Sequence, residues 1–336
     1  MINLDTLKQK LSHPCKIIIT THHKPDGDAM GSSLGLYHYL IQKGHLVKVI
    51  SPTDYPEFIH WLPSNSEVII YTEKEEESKE LVASADLIFC LDFNSLSRIN
   101  EMGEEVRKSG ALKIMIDHHL EPEGFDDFRL WNTKACATAE LIYDFIVNQL
   151  NDGSFMNKDI ATCLYTGIMT DSGSFRFPSV TSGLHRIVAD LIDAGAVNWK
   201  IHQQVYDNAS EGRLRFLGYC LSNKLEVLRD FNTAIVTVSK EDLKKFDVAT
   251  GETEGVVNYA LSIQGIKLAA FIVERADQVK LSLRSVGDIP VNEICKKYFN
   301  GGGHKNASGG QSNESFETVI EKFKSILPEY QNILLQ

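Results

Sequence analysis

The feature that most constrains this chain is an alternation within its first 117 residues. Five short apolar or β-branched runs, at 16–21, 46–51, 67–71, 86–93 and 112–117, are separated in several places by segments of helical character. In segment 28–43, Leu34, Tyr37, Leu40 and Ile41 recur at helical spacing, and Gly44 follows as a left-handed cap would. Strands alternating with helices predict an α/β fold, a mostly parallel sheet flanked by helices. Such sheets bind ligands beyond the carboxyl ends of their strands, so the residues just after each run are where chemistry is expected.

Those positions are ionisable. The first run leads into T-T-H-H-K-P-D-G-D, the fourth ends at Asp92, and the fifth ends in D-H-H at 117–119. A further acid, Asp171, follows the helical run I-A-T-C-L-Y-T-G-I-M-T. Singly these are weak signals, because an aspartate after a strand is often a helix cap. Gathered at one sheet edge, the carboxylates would repel one another strongly unless cations lay among them. Oxygen and imidazole donors with no neighbouring cysteine suit an octahedral ion such as manganese better than structural zinc.

Composition narrows the possibilities. A chain of 336 residues, 43% of them hydrophobic, is long enough for two domains. It has no apolar window of membrane-spanning length, and its first ten residues carry Asp5, Lys8 and Lys10 in place of a signal peptide's apolar region. A cytoplasmic protein without membrane partners is therefore expected. The six cysteines are scattered, with no C-x-x-C pair, and read as reduced core residues. A net charge of −11 argues against coating long duplex nucleic acid and leaves small anionic ligands. The acidic run near 73–80 reads as a solvated helix face.

From about 157 the pattern turns helical, and strand-like runs return at 233–239, 267–273 and 279–284, followed by a glycine-rich loop and a helix near 316–326. The expected organisation is a catalytic domain at 1–195, a helical linker at 196–229 and a smaller α+β domain at 230–336. Two motifs are decoys. Gly31-S-S-L-Gly35 fits G-x-S-x-G, yet it lies about ten residues beyond its strand, where a nucleophile elbow must follow at once. D-S-G at 171–173 sits in a helical context.

Four motifs in order, H-H-K-P-D-G-D at 22–28, the isolated Asp92, D-H-H, and T-D-S-G-S-F around Asp171, resemble those of the DHH phosphoesterase superfamily. Ser172 stands where that pattern has threonine. The stretch G-G-G-H-K-N-A-S-G-G at 301–310, preceded by L-S-L-R-S, resembles the DHH-associated C-terminal domain. Together they span essentially the whole chain, whose compactness is most similar to the nanoRNase and adenosine 3′,5′-bisphosphate (pAp) phosphatase group.

The resemblance implies a centre of two divalent ions, most readily manganese. His22 and Asp26 would hold one ion, Asp28, His118 and Asp171 the other, and Asp92 would bridge them. Asp117 and His119 form the expected catalytic pair, Asp117 orienting ligands and His119 facing the substrate, while His23 is only a neighbour. Ions about 3.5–4 Å apart acidify water and clamp phosphoryl oxygens during in-line attack. His119 would stabilise equatorial charge or protonate the leaving oxygen. Arg284, Gly301, Gly302, Gly303 and His304 would grip a substrate phosphate or base across an interdomain cleft.

The implied reaction is hydrolysis of short oligoribonucleotides to mononucleotides, with removal of the 3′-phosphate of pAp. Cleavage of cyclic or linear dinucleotides and hydrolysis of pyro- or polyphosphate are the alternatives. A non-enzymatic nucleotide sensor would be signalled by a lost metal ligand, and none of the six is missing. The large apolar helices between the domains could serve a homodimer.

Overall fold

Ile17, Ile18 and Ile19 of β1 (Lys16–Thr21) are all buried, as a strand covered by helices on both faces requires. In the computed structural model, which describes residues 1–248 and 251–336, β1 lies inside a six-stranded sheet. That sheet belongs to the first of two units, Met1–Asn208 and Ala209–Gln336. Its other strands are β2 (Leu46–Ser51), β3 (Ile69–Ile70), β4 (Leu87–Leu91), β5 (Leu112–Asp117) and β6 (Phe128–Trp131). They run in the order β3-β2-β1-β4-β5-β6, and every pairing is parallel. The order reverses between β1 and β4, which opens a crevice at their carboxyl ends.

Two strands differ from expectation. The run at 67–71 shrinks to the two residues of β3 because a 3-10 turn at Asn65–Glu67 takes up its start. Strand β6 has no counterpart among the predicted runs; F-R-L-W is short and carries a charge, and it pairs in parallel with Ile114 to Asp117 of β5.

The helices of this unit are α1 (Leu4–Leu11), α2 (Gly27–Gln42), α3 (Glu75–Ala83), α4 (Met102–Lys108), α5 (Thr138–Asp144), α6 (Lys158–Asp171), α7 (Ser182–Asp193) and α8 (Asn198–Tyr206). The acidic run at 73–80 becomes α3 with its acids turned to solvent. The closest helix pair is α2 with α6. Gly27, Gly31 and Gly35 recur at every fourth position and form a stripe against it. A Cβ on Gly31 would lie 2.5 Å from the Cys163 carbonyl oxygen and 2.8 Å from the Gly167 nitrogen. One on Gly35 would meet Leu164 Cδ2 at 2.6 Å. The G-S-S-L-G segment is a seam where two helix backbones touch, not a nucleophile turn.

The second unit has a mixed sheet of order β11-β12-β10-β9-β8-β7. Its strands are β7 (Leu225–Leu228), β8 (Thr233–Val238), β9 (Leu268–Glu274), β10 (Val279–Ser285), β11 (Gly302–His304) and β12 (Ala307–Ser312). Its helices include α9 (Glu211–Tyr219), α10 (Lys240–Lys245), α11 (Val256–Leu261), α12 (Val291–Tyr298) and α13 (Phe316–Ile326). Leu281 and Leu283 pack with Ile294 and Phe323 on one face, while Val236 and Phe271 pack with Phe216 and Val257 on the other.

The segment read as a linker, 196–229, is shared between the units: α8 lies in the first, α9 in the second, and its last residues form β7, paired antiparallel with β8. The expected glycine-rich loop is a β-hairpin, with Gly302 opposite Gly309 and His304 opposite Ala307. All six cysteines are free. No helix among the described residues is long and apolar enough to cross a membrane.

The seam gives a direct test. Gly31→Ala is expected to destabilise the protein by roughly 2 kcal/mol through overpacking. Gly218→Ala, in α9 with no atom within 4 Å of the added methyl, should instead gain up to about 1 kcal/mol. Urea unfolding followed by circular dichroism measures both, and an unchanged Gly31→Ala would mean the helices do not depend on that contact.

Candidate metal centre

Local rules of helix capping place the first candidate ligands. Asp26 is the N-cap of α2, and its Oδ1 accepts from the Asp28 and Ala29 amides at 3.0 Å each. Its Oδ2 remains directed at His22, 4.0 Å from Nε2. His22 Nδ1 lies 2.9 Å from the His23 carbonyl oxygen, which can only accept, so Nδ1 carries the proton and Nε2 faces Asp92 at 3.5 Å. His118 repeats the arrangement. Its Nδ1 donates to the Ala135 carbonyl at 3.1 Å, and its Nε2 stands 3.5 Å from both Asp92 Oδ1 and Asp171 Oδ2.

Asp92 sits where β4 ends, with its amide bonded to the Ile116 carbonyl and a φ of +63°. A left-handed aspartate carries a cost of order 1 kcal/mol or more, and here it turns the carboxylate in between the two histidines. The Thr138 hydroxyl fixes Oδ1 with a 2.8 Å bond. Asp28 is held by the start of α5: Thr138 N–H donates to Oδ2 at 2.6 Å and Ala139 N–H to Oδ1 at 2.9 Å. Asp171 is the last residue of α6, and three left-handed residues, Gly173, Ser174 and Phe175, carry the chain away from it.

Asp117 and His119 stand beside this group. Asp117 is fully buried, and its Oδ1 accepts from His119 Nδ1 at 2.7 Å, while its Oδ2 has no hydrogen-bond partner. The half-exposed Trp131 donates its indole N–H to the His119 carbonyl at 2.6 Å.

The electrostatics follow from burial and proximity. Burial, then the charges of Asp92 and Asp171, hold the Asp28 carboxyl well above the usual range. Burial would raise Asp92 too, but bonds from His118 and His22 outweigh it and drive that carboxyl well below its ordinary value. Burial opposes charge on both imidazoles, yet Asp92 and the neighbouring acids push His118 strongly upward and His22 upward. Protons therefore do the neutralising that the carboxylates demand. Divalent cations could take over that task.

The donor set fits them. Ligand atoms of His22, Asp26 and Asp92 lie within 4.8 Å of one another, as do those of Asp28, Asp92 and His118, and the two sets share Asp92. In both histidines a carbonyl fixes the Nδ1 proton and leaves Nε2 for the cluster, which is how a ligating imidazole is oriented. Among the described residues no such cluster includes a cysteine. The nearby Cys136 thiol is pushed up to about 12 by burial and stays protonated.

The structure therefore gathers His22, Asp26, Asp28, Asp92, His118 and Asp171, with Asp117 and His119 adjacent. Arg284, Gly301, Gly302, Gly303 and His304 belong to the second unit. Arg284 lies on β10, its Nη1 donating to the Leu283 carbonyl at 3.0 Å, and is paired with Ala307, which in turn is paired with His304. Thr138 and Ala139, which brace Asp28 and Asp92, had no signal in the sequence, since A-T-A-E-L reads simply as the start of a helix.

Comparison with known proteins agrees with this geometry. The model of the DHH family N-terminal domain matches residues 16–168, and that of the DHHA1 domain matches residues 231–330. The bifunctional oligoribonuclease and PAP phosphatase of Bacillus subtilis is 30% identical over 293 residues, 87% of this chain and 88% of the relative. The chain belongs to the DHH phosphoesterase family. A second relative, the bifunctional oligoribonuclease and PAP phosphatase of Thermus thermophilus, is 31% identical over 87% of this chain and 83% of its own. The crystal structure of an exopolyphosphatase-related protein from Bacteroides fragilis superposes with a TM-score of 0.95 at 40% identity, covering 99% of this chain and 97% of that one. As a DHH protein the chain is a hydrolase acting on phosphoester bonds.

Thr138 offers a test of the bracing. Thr138→Val removes the hydroxyl bonded to Asp92 and keeps the side-chain volume, so metal-free protein should lose about 1–3 kcal/mol, and Thr138→Ser should recover most of it. Thermal unfolding in chelator reads the difference. An unchanged melting temperature for Thr138→Val would mean that the bond does not hold Asp92.

Proposed function

We propose that this enzyme hydrolyses short oligoribonucleotides to mononucleotides and removes the 3′-phosphate of pAp, using two divalent ions. The observation that carries the reading is Asp92, shared by two compatible ligand sets at the point where the strand order reverses. In this reading His22 and Asp26 hold one ion, Asp28, His118 and Asp171 the other, and Asp92 both. Manganese suits this oxygen and imidazole set. When bound, the pair supplies positive charge that acidifies water and draws phosphoryl oxygens into line.

The chain's own groups supply the rest. Asp117 holds the Nδ1 proton of His119, so Nε2 is the nitrogen that would meet the substrate, and a ring that has taken a second proton from solvent would pass it from Nε2 to the leaving oxygen. In the second unit, Arg284 and His304 are the side chains assigned to a substrate phosphate or base. A Cβ on Gly301 would run into the Gly309 carbonyl, and one on Gly303 would lie 2.7 Å from the Ala307 carbonyl, whereas Gly302 faces open space. Gly301 and Gly303 therefore serve the hairpin, and Gly302 is where a ligand can approach the backbone. The names of the Bacillus and Thermus relatives support short RNA and pAp as substrates. A cytoplasmic site of action, where RNA is turned over, belongs to the same reading.

Polyphosphate hydrolysis is the second reading, favoured by the description of the Bacteroides protein as exopolyphosphatase-related. Catalytic efficiency across a panel of pAp, oligoribonucleotides of increasing length, cyclic di-AMP and polyphosphate separates the two. We expect the highest values for oligonucleotides of roughly two to five residues, because a short strand makes all its contacts and added residues meet an acidic exterior. A steady rise toward long RNA, or a preference for polyphosphate, would overturn the proposal. Asp92→Ala should reduce turnover by more than the ~100-fold typical of losing an outer partner of a metal ligand. Chelation should abolish activity reversibly, and Ser33→Ala, whose hydroxyl bonds only the Ala29 carbonyl, should stay within about twofold of wild type. Turnover by Asp92→Ala in chelator would rule out the metal centre.

A further inference from the structure

Asp171 reaches the cluster from an unfavourable place. It is the last residue of α6, where the negative end of the helix dipole disfavours a carboxylate, and its side chain is 30% exposed against 3% for Asp92. Its backbone is set by the turn that follows. Gly173, Ser174 and Phe175 have φ of +58°, +60° and +63°, a short left-handed run that only the glycine adopts without cost. A phenylalanine in that region is an outlier and persists only where its surroundings enforce it.

Part of the enforcement is local. Ser174 N–H donates to the Met169 carbonyl at 2.8 Å, Phe175 N–H to the Ser172 hydroxyl at 2.9 Å, and Arg176 Nε to the Gly173 carbonyl at 2.7 Å. The rest comes from α7 and α8. The Ser174 hydroxyl lies 3.1 Å from His202 Nε2, and His202 Nδ1 lies 2.9 Å from the Asn198 carbonyl oxygen, one turn back along α8. A carbonyl only accepts, so Nδ1 carries the proton and Nε2 accepts from Ser174. The Phe175 ring sits beside Tyr165, His185 and His202, with ring centroids 5.7, 6.0 and 6.4 Å away. One imidazole therefore meets both left-handed side chains.

His202 is oriented as His22 and His118 are, with a main-chain carbonyl fixing Nδ1 and Nε2 left for a partner. Its partner is Ser174, three residues beyond Asp171. We infer that His202 is a positioning residue for the metal centre: by holding Ser174 and Phe175 in the left-handed turn, it sets where the Asp171 carboxylate stands beside His118. The inference rests on the proposed function in taking Asp171 as a ligand of the ion it shares with Asp28 and His118. It also gives α8, whose sequence reads as part of a linker, a share in the site.

The test is manganese titration of metal-free, full-length protein by calorimetry, which reads the two ions without turnover. His202→Ala should weaken uptake of one ion by roughly tenfold or more, the loss typical of removing an outer partner of a metal ligand, and leave the other within about twofold. His202→Gln, whose amide reaches the Nε2 position, should restore most of it. Ser174→Ala should weaken the same ion, and adding it to His202→Ala should cost little more, because both remove one bond. Ser174→Gly separates positioning from folding. It removes the hydroxyl and the left-handed cost together, so thermal stability should hold while uptake of that ion still falls. If His202→Ala does not fold, Ser174→Gly decides. Unchanged uptake in Ser174→Gly, or equal weakening of both ions, overturns the inference and leaves the proposed function standing. A wild-type protein that binds no manganese would overturn the metal centre and the inference with it.

Discussion

Three glycines spaced four residues apart let α2 and α6 meet backbone to backbone, and the candidate metal centre depends on that contact. The helices run past each other so that Gly27, at the start of α2, faces Thr170, near the end of α6. Asp28 and Asp171 occupy the same two ends. Gly167 shows how tight the coupling is, since a Cβ there would lie 2.9 Å from Asp28 Oδ1 and 2.7 Å from the Ala139 Cβ. Each glycine weakens its helix by up to about 1 kcal/mol, and in exchange the close approach of α2 to α6 brings Asp28 against Gly167 and the start of α5.

The second constraint is electrostatic. Asp28 and Asp92 are almost fully buried, and they meet Asp171, His22 and His118 at the end of a hydrophobic sheet. Two backbone amides brace Asp28, a hydroxyl braces Asp92, and main-chain carbonyls set both imidazoles. Such bracing keeps the donors in place without an ion and makes the cluster a prepared site for cations. Asp92, left-handed and buried, is the residue whose conformation makes least sense without a role between the two histidines.

Much of this was legible from the chain. Strands β1 and β4 are buried on both faces almost throughout, and β2 and β5 toward their carboxyl ends, so they appear as apolar or β-branched runs, and the acids and histidines that follow three of them stand out at once. What escaped notice depends on partners distant in sequence. The glycine stripe of α2 looked like a decoy because its spacing does not reveal the helix it meets. The glycines at 301–310 read as a loop because the β11–β12 hairpin is built from small residues rather than β-branched ones. Charge was harder still. Near that hairpin Lys297 is tied to Glu329 and Lys305 to Asp288, while Arg275, Lys280 and Arg284 line a cavity of the second unit, a sorting of cations that composition does not reveal.

The central claim is that Asp92 lies between two cations, and anomalous diffraction from crystals grown with manganese tests it most directly. Two manganese peaks should appear about 3.5–4 Å apart, both in contact with the Asp92 carboxylate, one beside His22 and Asp26 and the other beside Asp28, His118 and Asp171. A single peak, or two peaks of which only one touches Asp92, would contradict the account.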